Sequence, residues 1–364
     1  MTSFDATRLD DPEALAVLDP GGMLAAVAEA GAHLRQGQQV AADTVLDPVL
    51  VDGRPRAVVV VGMGGSGIAG DVLAAVCGTG CPVPVVVVRE LALPGWVGSA
   101  DLVIAVSFSG RTEETLGMFA DAARRGARVV AVAAPGSPLA EACEAAHGLH
   151  LPVELPGMAP RAALWALATP LLVLADALEL AHVPGTQLTA AADRLDALAL
   201  ACAPPAPTLV NPAKTLALEL ADTLPMFWGT GAVGGVAAYR AVCQLAENAK
   251  YPGVHGTLPE VAHNQVVCLD GPWAASGDQG RRLRLVLLAD DAEHPSLADR
   301  RRGIRALAAG REVGVSELAT EPGGVVERLV GLVGLVDFAS VYLAVGYGTD
   351  PTPIRPIDEL KATS

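Results

Sequence analysis

Residues 57–67 read AVVVVGMGGSG, an apolar β-branched run that ends in a glycine-rich turn. Valines at consecutive positions predict a strand buried on both faces, as in a parallel sheet that helices cover on two sides. The glycines predict a tight turn with accessible backbone N–H groups. Residues 68–76 then continue as an apolar helical pattern. The segment therefore predicts a strand–turn–helix unit.

Three similar apolar runs follow along the chain, at Val83–Val88, Leu102–Val106 and Arg128–Ala133. Helical patterns separate them, notably at Thr112–Arg124 and Ser137–Ala146. Apolar strands that alternate with helices are typical of an α/β domain built on a parallel sheet.

The same alternation restarts after a proline-rich break at residues 203–207, which read APPAP. The stretch before the break lacks strand signals and predicts two helices, at Arg161–Ala181 and Thr189–Cys202. Beyond the break, a glycine-rich turn at residues 229–235 follows a strand, as in the first half. The strands predicted there are Leu224–Trp228, Val266–Leu269, Leu283–Leu288 and Glu312–Val315, and the helices are Pro212–Asp222, Val236–Ala249, Ser296–Ala309 and Gly324–Val345.

The chain is therefore predicted to hold two α/β domains, each a three-layer sandwich around a parallel sheet, joined by helices. The predicted boundaries are 1–155 for the first domain, 156–207 for the connecting helices and linker, 208–348 for the second domain and 349–364 for a C-terminal arm.

Composition excludes several classes of protein. The 364 residues include 51% hydrophobic ones, enough for a large core, and carry a net charge of −15, which repels nucleic acid and anionic membranes. The acidic segment Met1–Ala14 is unlike a signal peptide, and the apolar run Ala162–Ala175 is too short to cross a bilayer. Six cysteines without a C-x-x-C pair predict reduced thiols. We expect a cytoplasmic protein.

The first glycine-rich turn allows two interpretations. Gly62, Gly64 and Gly67 match the G-x-G-x-x-G fingerprint of dinucleotide-binding proteins, and Glu90 follows the next strand, as that fingerprint requires. A dehydrogenase that uses NAD is therefore one hypothesis. A loop that holds a phosphate is the other, because any anion cradle at a strand–turn–helix unit satisfies the same pattern.

A second loop favours the phosphate interpretation. Residues 107–115 read SFSGRTEET and place the hydroxyls of Ser107, Ser109 and Thr112 at the start of a helix. Together with Ser66, they are expected to converge at neighbouring carboxyl ends of parallel strands, where such sheets bind ligands. The alternative role for Thr112 is that of an ordinary N-cap.

These two loops and the doubled α/β layout resemble the sugar isomerase (SIS) superfamily, and within it the bifunctional phosphoglucose/phosphomannose isomerase family. The resemblance implies two SIS-type domains, interconversion of glucose 6-phosphate and mannose 6-phosphate with fructose 6-phosphate, no cofactor and no metal. It also implies a homodimer. By this resemblance, the substrate phosphate is held by Gly64, Gly65, Ser66, Ser107, Ser109 and Thr112.

Four further segments resemble the family's catalytic motifs. Residues 246–250 (AENAK) offer Glu247 as the base that moves a proton between two carbons, and residues 258–264 (LPEVAHN) offer His263 for ring opening. Arg161 is the residue implied to stabilise the enediolate. The C-terminal segment PIDELK offers Lys361 as the second ring-opening residue. In the family the histidine can come from the partner subunit.

Lysine usage provides an argument that does not depend on the family. Of the 25 basic residues, three are lysine (Lys214, Lys250 and Lys361) and the remaining 22 are arginine. Where the chain uses lysine, a compact ammonium group with rotatable donors is expected to matter.

The chain also departs from the family pattern. Arg111 stands where a small polar residue is usual, Phe108 replaces a common tyrosine, and Thr352 is only a candidate for the threonine associated with mannose substrates. His255, His263 and Cys243 are candidates for a metal site, but their spacing matches no known metal motif. The remaining alternatives are a sugar-phosphate sensor without turnover, the isomerase half of an amidotransferase, and the NAD-dependent dehydrogenase.

Overall fold

Parallel strands in two separate sheets organise the protein, whose computed structural model describes residues 3–274 and 282–363. The strands in these residues are β1 (Val58–Val61), β2 (Val85–Val88), β3 (Leu102–Ser107), β4 (Arg128–Ala133), β5 (Leu149–Pro152), β6 (Leu224–Thr230), β7 (Val254–Leu258), β8 (Leu283–Ala289) and β9 (Gly314–Ala319). The α-helices are α1 (Pro12–Leu18), α2 (Met23–Ala28), α3 (Ala30–Asp43), α4 (Asp47–Leu50), α5 (Gly64–Cys77), α6 (Glu113–Arg124), α7 (Pro138–Ala145), α8 (Leu164–Ala177), α9 (Gly185–Ala201), α10 (Pro212–Leu220), α11 (Gly231–Gln244), α12 (Pro295–Ala309), α13 (Val325–Gly346) and α14 (Arg355–Thr363).

The chain divides into two compact units. One unit is Glu29–Asp193, called here the first unit; the second unit combines Met1–Ala28 with Arg194–Ser364. The sequence-based boundaries place residues 1–155 together, whereas the segment before Glu29 packs with the C-terminal half. Backbone contacts explain the difference, because the Asp5 N–H donates to the Gly346 carbonyl oxygen at 2.9 Å.

The sheet of the first unit has the strand order β2-β1-β3-β4-β5, with all neighbours parallel. The four valines of β1 lie in its interior and are fully buried, as the unbroken apolar run predicts. The strand that follows β1 in sequence, β2, lies on one side of β1, and the next strand, β3, lies on its other side. The loops after β1 and β3 therefore diverge, which leaves a crevice at the carboxyl ends of these two strands.

The sheet of the second unit has the order β7-β6-β8-β9, again parallel throughout. Apolar side chains from β6 and β8 pack beneath helix α12, with Trp228, Leu285 and Ile304 among those that are buried. The predicted α/β class with two parallel sheets is thereby confirmed.

Two local predictions were wrong. Val266–Leu269, predicted as a strand, lies in the 3₁₀ helix Gln265–Asp270, because the Asn264 side chain accepts a hydrogen bond from the Gln265 N–H and starts a helical turn. Two observed strands were not predicted, β5 and β7, which are edge strands whose sequences LHLP and VHGTL lack a continuous apolar run. The predicted helix Arg161–Ala181 divides at Ala163 into a short 3₁₀ turn and α8.

Helix α13 forms the core of the second unit. By length and composition it could cross a bilayer, but 89% of its most apolar window is buried inside the protein, which is the environment of a core helix. A buried ion pair joins it to α11: Arg240 Nε and Nη2 meet the two carboxylate oxygens of Asp337 at 2.9 and 3.0 Å. Both side chains are buried.

We predict that Asp337→Ala lowers the free energy of unfolding by about 3–5 kcal/mol, because it leaves the Arg240 guanidinium buried without its carboxylate. Denaturant unfolding followed by circular dichroism measures this loss. The control is Asp299→Ala, which removes an exposed pair with Arg302 and is expected to cost less than about 1 kcal/mol. Equal losses in both variants would contradict the prediction.

Candidate active site

The glycine-rich turn after β1 opens helix α5 earlier than predicted, at Gly64 instead of Ile68. Gly64 has a φ of 54°, a left-handed conformation that favours glycine. A Cβ on Gly67 would lie 2.6 Å from the Gly62 carbonyl oxygen. The close approach of these two backbone segments therefore also requires glycine at position 67. Ser66 lies in the first helical turn, where backbone N–H groups lack carbonyl partners within the helix. These donors and the helix dipole together favour an anion.

The serine loop after β3 meets this turn directly. The Ser66 Oγ accepts a hydrogen bond from the Phe108 N–H at 3.2 Å. Ser107, the last residue of β3, places its Oγ 3.0 Å from the Thr112 Oγ1. The hydroxyls of Ser66, Ser107 and Thr112 thus lie on the two joined loops at the carboxyl ends of β1 and β3.

The Thr112 hydroxyl is not used as a helix cap. Thr112 occupies the N-cap position of α6, but its side chain makes no capping hydrogen bond among the described residues. The N-cap position of Thr112 is therefore confirmed, but its hydroxyl contacts Ser107 and makes no capping bond among the described residues.

The outer part of the serine loop is exposed. Ser109 accepts a hydrogen bond from the Arg111 N–H at 3.2 Å, and both residues face solvent. Gly110 has a φ of 62°, and a Cβ there would lie 2.0 Å from the Ser137 Oγ. The loop therefore depends on glycine at this position.

Two arginines adjoin the glycine-rich turn. Arg161 is 3% exposed, and its Cα lies 3.6 Å from the position that a Cβ on Gly65 would take. Arg89, which sequence reasoning missed, places its Nε 2.9 Å from the corresponding position of Gly67 and pairs with Asp71. Burial raises the pKa of the Asp71 carboxyl, and the Arg89 guanidinium opposes that rise. The one feature of the sequence that could have indicated Arg89 is its position directly after strand β2.

The candidate base in the second unit lies in an unusual backbone segment. Glu247 is half-buried within the π-helix Leu245–Ala249, which continues α11. π-helical turns are rare and occur frequently at functional sites. Asn248 anchors the turn, because its buried Nδ2 donates to the Ser340 Oγ of α13 at 2.9 Å.

The candidate ring-opening histidine has a cationic neighbour. The exposed His263 places its Nε2 3.0 Å from Nη1 of Arg300 in α12. Guanidinium groups only donate hydrogen bonds, so Nε2 accepts and a neutral ring carries its proton on Nδ1. Arg300 lies 37 residues from His263 in sequence, and no local pattern indicated it.

The C-terminal arm carries two more of the predicted residues. Lys361 lies in the last turn of α14, a helix without buried residues. The Thr352 N–H donates to Asp350 at 2.9 Å. A Cβ on Gly21 would lie 2.2 Å from the Thr352 Oγ1, so this glycine leaves room for the threonine.

Lys214 belongs to the structure of the second unit and not to a site. It is fully buried, and its Nζ donates to the Asp10 carboxylate at 2.9 Å and to the carbonyl oxygens of Pro204 and Ala206 at 2.8 and 2.9 Å. The ammonium therefore ties the N-terminal segment to the proline-rich linker.

Metal ligands do not gather in the described part of the chain. Residues 3–274 and 282–363 hold no group of three or more His, Cys, Asp or Glu side chains that could bind a metal ion. The trio suggested by the sequence, His255, His263 and Cys243, forms no such group.

The glycine-rich turn of the second unit differs from that of the first. The Thr230 Oγ1 at the end of β6 accepts a hydrogen bond from the Asp290 N–H at 2.9 Å. The Asp290 carboxylate is itself paired with Arg328 at 2.6 Å. The turn of the second unit thus lies beside a carboxylate paired with an arginine, whereas the loops of the first unit carry hydroxyls.

Two parallel-sheet units, one with a hydroxyl-lined crevice, define an α/β protein of the SIS class. Residues 54–180 match the SIS domain family, and residues 209–363 match the bacterial phospho-glucose isomerase C-terminal SIS domain. The bifunctional phosphoglucose/phosphomannose isomerase of Caldicellulosiruptor bescii is 35% identical over 84% of this chain and 88% of its own length. That of Aquifex aeolicus is 28% identical over 84% and 89%. The chain belongs to the bifunctional phosphoglucose/phosphomannose isomerase family and is an isomerase, as the sequence resemblance predicted.

Solved structures agree on the fold. A hypothetical protein from Thermus thermophilus superposes with a TM-score of 0.71 at 16% identity, covering 100% of this chain and 98% of that one. A glucose-6-phosphate isomerase like protein from the same organism gives a TM-score of 0.61 at 19% identity, covering 98% and 99%. At such identities the similarity is one of fold alone.

We predict that Gly110→Ala lowers the free energy of unfolding by about 2 kcal/mol or more, because alanine is strained at a positive φ and meets the Ser137 side chain. Denaturant unfolding measures the change. Gly117→Ala, on the neighbouring helix α6 where a Cβ meets nothing within 4 Å, is the matched control and is expected to be neutral or stabilising. A stable Gly110→Ala variant would contradict this description of the loop.

Proposed function

We propose that the protein interconverts glucose 6-phosphate, and by the same chemistry mannose 6-phosphate, with fructose 6-phosphate through an enediol intermediate. The observation that carries the proposal is the joined pair of loops at the ends of β1 and β3. Hydroxyl and backbone donors that meet at a helix N-terminus suit a phosphate monoester. The relatives named above are isomerases of sugar phosphates by name, which supports the same substrate class here.

In the proposed mechanism, Ser66, Ser107, Ser109 and Thr112 anchor the phosphate together with the N–H groups of Gly64 and Gly65. The anchor uses a part of the sugar that does not react. It therefore lowers the entropic cost of presenting the first two carbons to a base.

Glu247 is the proposed base. Its carboxylate removes the proton from C2 of the open-chain aldose, and the C–H electron pair forms the enediol double bond as the carbonyl oxygen at C1 gains negative charge. Glu247 then returns the proton to C1, while the hydroxyl proton at O2 is transferred to O1 and the ketone carbonyl forms at C2. A half-buried position supports this role, because partial burial limits competition from water.

Arg161 is proposed to stabilise the enediolate oxygens, since a buried guanidinium supplies fixed donors where negative charge develops. His263 and Lys361 are proposed to open the sugar ring by moving protons at the ring oxygen and at the O1 hydroxyl. Because the Nε2 lone pair accepts from Arg300, Nδ1 is the ring nitrogen proposed to exchange a proton with the sugar.

The alternatives lack such support. An NAD-dependent dehydrogenase gains nothing from hydroxyls on a second loop, and the relatives named above are isomerases. A sensor without turnover would not need the half-buried carboxylate of Glu247. The isomerase half of an amidotransferase would need a different motif in place of residues 247–264. Cytoplasmic location and a homodimer remain part of the proposal.

We predict that the wild-type protein, treated with EDTA, transfers deuterium from heavy water to C2 of the aldose product when it is given fructose 6-phosphate. Proton NMR measures this exchange and the ratio of glucose to mannose product. Glu247→Gln is expected to lower the rate by about 10²–10⁴-fold, because the amide cannot accept the proton.

Glu144→Gln, at an exposed carboxylate in the first unit, is the matched control and should react like the wild type. Isomerisation by Glu247→Gln at the wild-type rate would overturn the mechanism. Binding of fructose 6-phosphate without any exchange would favour the sensor.

A complementation experiment tests whether His263 serves the partner subunit's site. Glu247→Gln and His263→Ala proteins are each expected to be nearly inactive. If Glu247 and His263 meet across a two-fold dimer, mixed dimers contain one site in which both residues are intact. Random exchange of subunits should then restore about one quarter of the wild-type activity. If subunit exchange is verified by mass spectrometry and no activity returns, each active site uses Glu247 and His263 of the same subunit.

A further inference from the structure

Lys250 ends the π-helical turn that carries Glu247. It adopts a left-handed backbone conformation, with φ 55° and ψ 33°, and its N–H donates to the Leu245 carbonyl oxygen. The chain therefore reverses direction three residues after the proposed base. This conformation is uncommon for a residue other than glycine, asparagine or aspartate.

The Lys250 side chain folds back onto the turn. Its Nζ donates to the Glu247 carbonyl oxygen at 2.8 Å and to the Asn248 carbonyl oxygen at 3.2 Å. A third bond, of 3.1 Å, reaches the carbonyl oxygen of Pro351 in the C-terminal arm. The arm leads into α14, which carries Lys361. One ammonium group thus contacts the backbone of the base and the segment that precedes a second proposed catalytic residue.

The residue type fits this geometry. An ammonium carries three N–H donors around one atom, whereas a guanidinium spreads five donors in a plane. Lys214 makes the same kind of arrangement, with one Nζ bound to three oxygens. In a chain with 22 arginines and three lysines, two of the lysines occupy places where three oxygens surround one nitrogen.

We propose that Lys250 is a positioning residue for the isomerisation, which holds the Glu247 backbone in the π-helical turn and ties that turn to the C-terminal arm. Asn248 anchors the turn from the side of α13, and Lys250 anchors it from the side of the arm. The two anchors hold the backbone at Glu247, and therefore the point from which its side chain extends, in one position. The inference rests on the proposed role of Glu247.

The test compares Lys250→Met and Lys250→Arg with the wild type. We expect kcat for isomerisation of fructose 6-phosphate to fall by about 10–100-fold in both, with KM nearly unchanged, because a base displaced by about 1 Å transfers protons poorly. The deuterium isotope effect with glucose 6-phosphate labelled at C2 should increase, since proton abstraction becomes more rate-limiting. Arg302→Met, at an exposed arginine of α12, is the matched control and should behave like the wild type.

The outcomes separate the two proposals. An unchanged kcat and isotope effect in Lys250→Met, alongside an inactive Glu247→Gln, would overturn the positioning role alone. Full activity of Glu247→Gln would overturn the proposed function. If Lys250→Met fails to fold, the folded Lys250→Arg variant decides, because it keeps the charge but cannot surround one nitrogen with three carbonyls. A loss of activity that matches only a loss of folded protein, with no change in isotope effect, would also overturn the positioning role.

Discussion

Burial of parallel strands on both faces is the constraint on which the site depends. A strand such as β1, with four buried valines, must have helices on both sides of its sheet, and each connection must then cross over and return in parallel. Every strand consequently ends at the same edge. With β1 between β2 and β3, two loops diverge there, and the hydroxyls of Ser66, Ser107 and Thr112 meet on the loops between them.

The second unit uses the same sheet principle for a different purpose. Its glycine-rich turn lies beside an acidic residue, and its proposed chemistry resides instead at the far end of α11, where the helix widens into a π-turn around Glu247. Such a turn has weaker intrinsic stability than an α-helix, so other contacts must hold it. The buried pair of Arg240 and Asp337 fixes α11 against α13, and Asn248 and Lys250 fix the turn itself.

Much of the fold and part of the site could be predicted from local patterns. The apolar runs marked seven of the nine described strands, and the serine loop was recognised because its hydroxyls are neighbours in sequence. Edge strands β5 and β7 were missed, since partly exposed strands need no continuous apolar pattern. Arg300 beside His263 was also missed, because the contact joins residues from separate elements that only packing brings together.

Local patterns in the chain were enough to establish the α/β class, the presence of two glycine-rich turns and the identity of the residues available for chemistry, because these follow from periodicity and composition within short windows. How those residues are used depends on the tertiary structure. It directed the Thr112 hydroxyl to Ser107 instead of to its own helix, and it packed the N-terminal segment against the C-terminal half. It also brought three carbonyl oxygens around Lys250. The physical reason is that hydrogen bonds and burial depend on distances in space, which short windows of sequence do not contain.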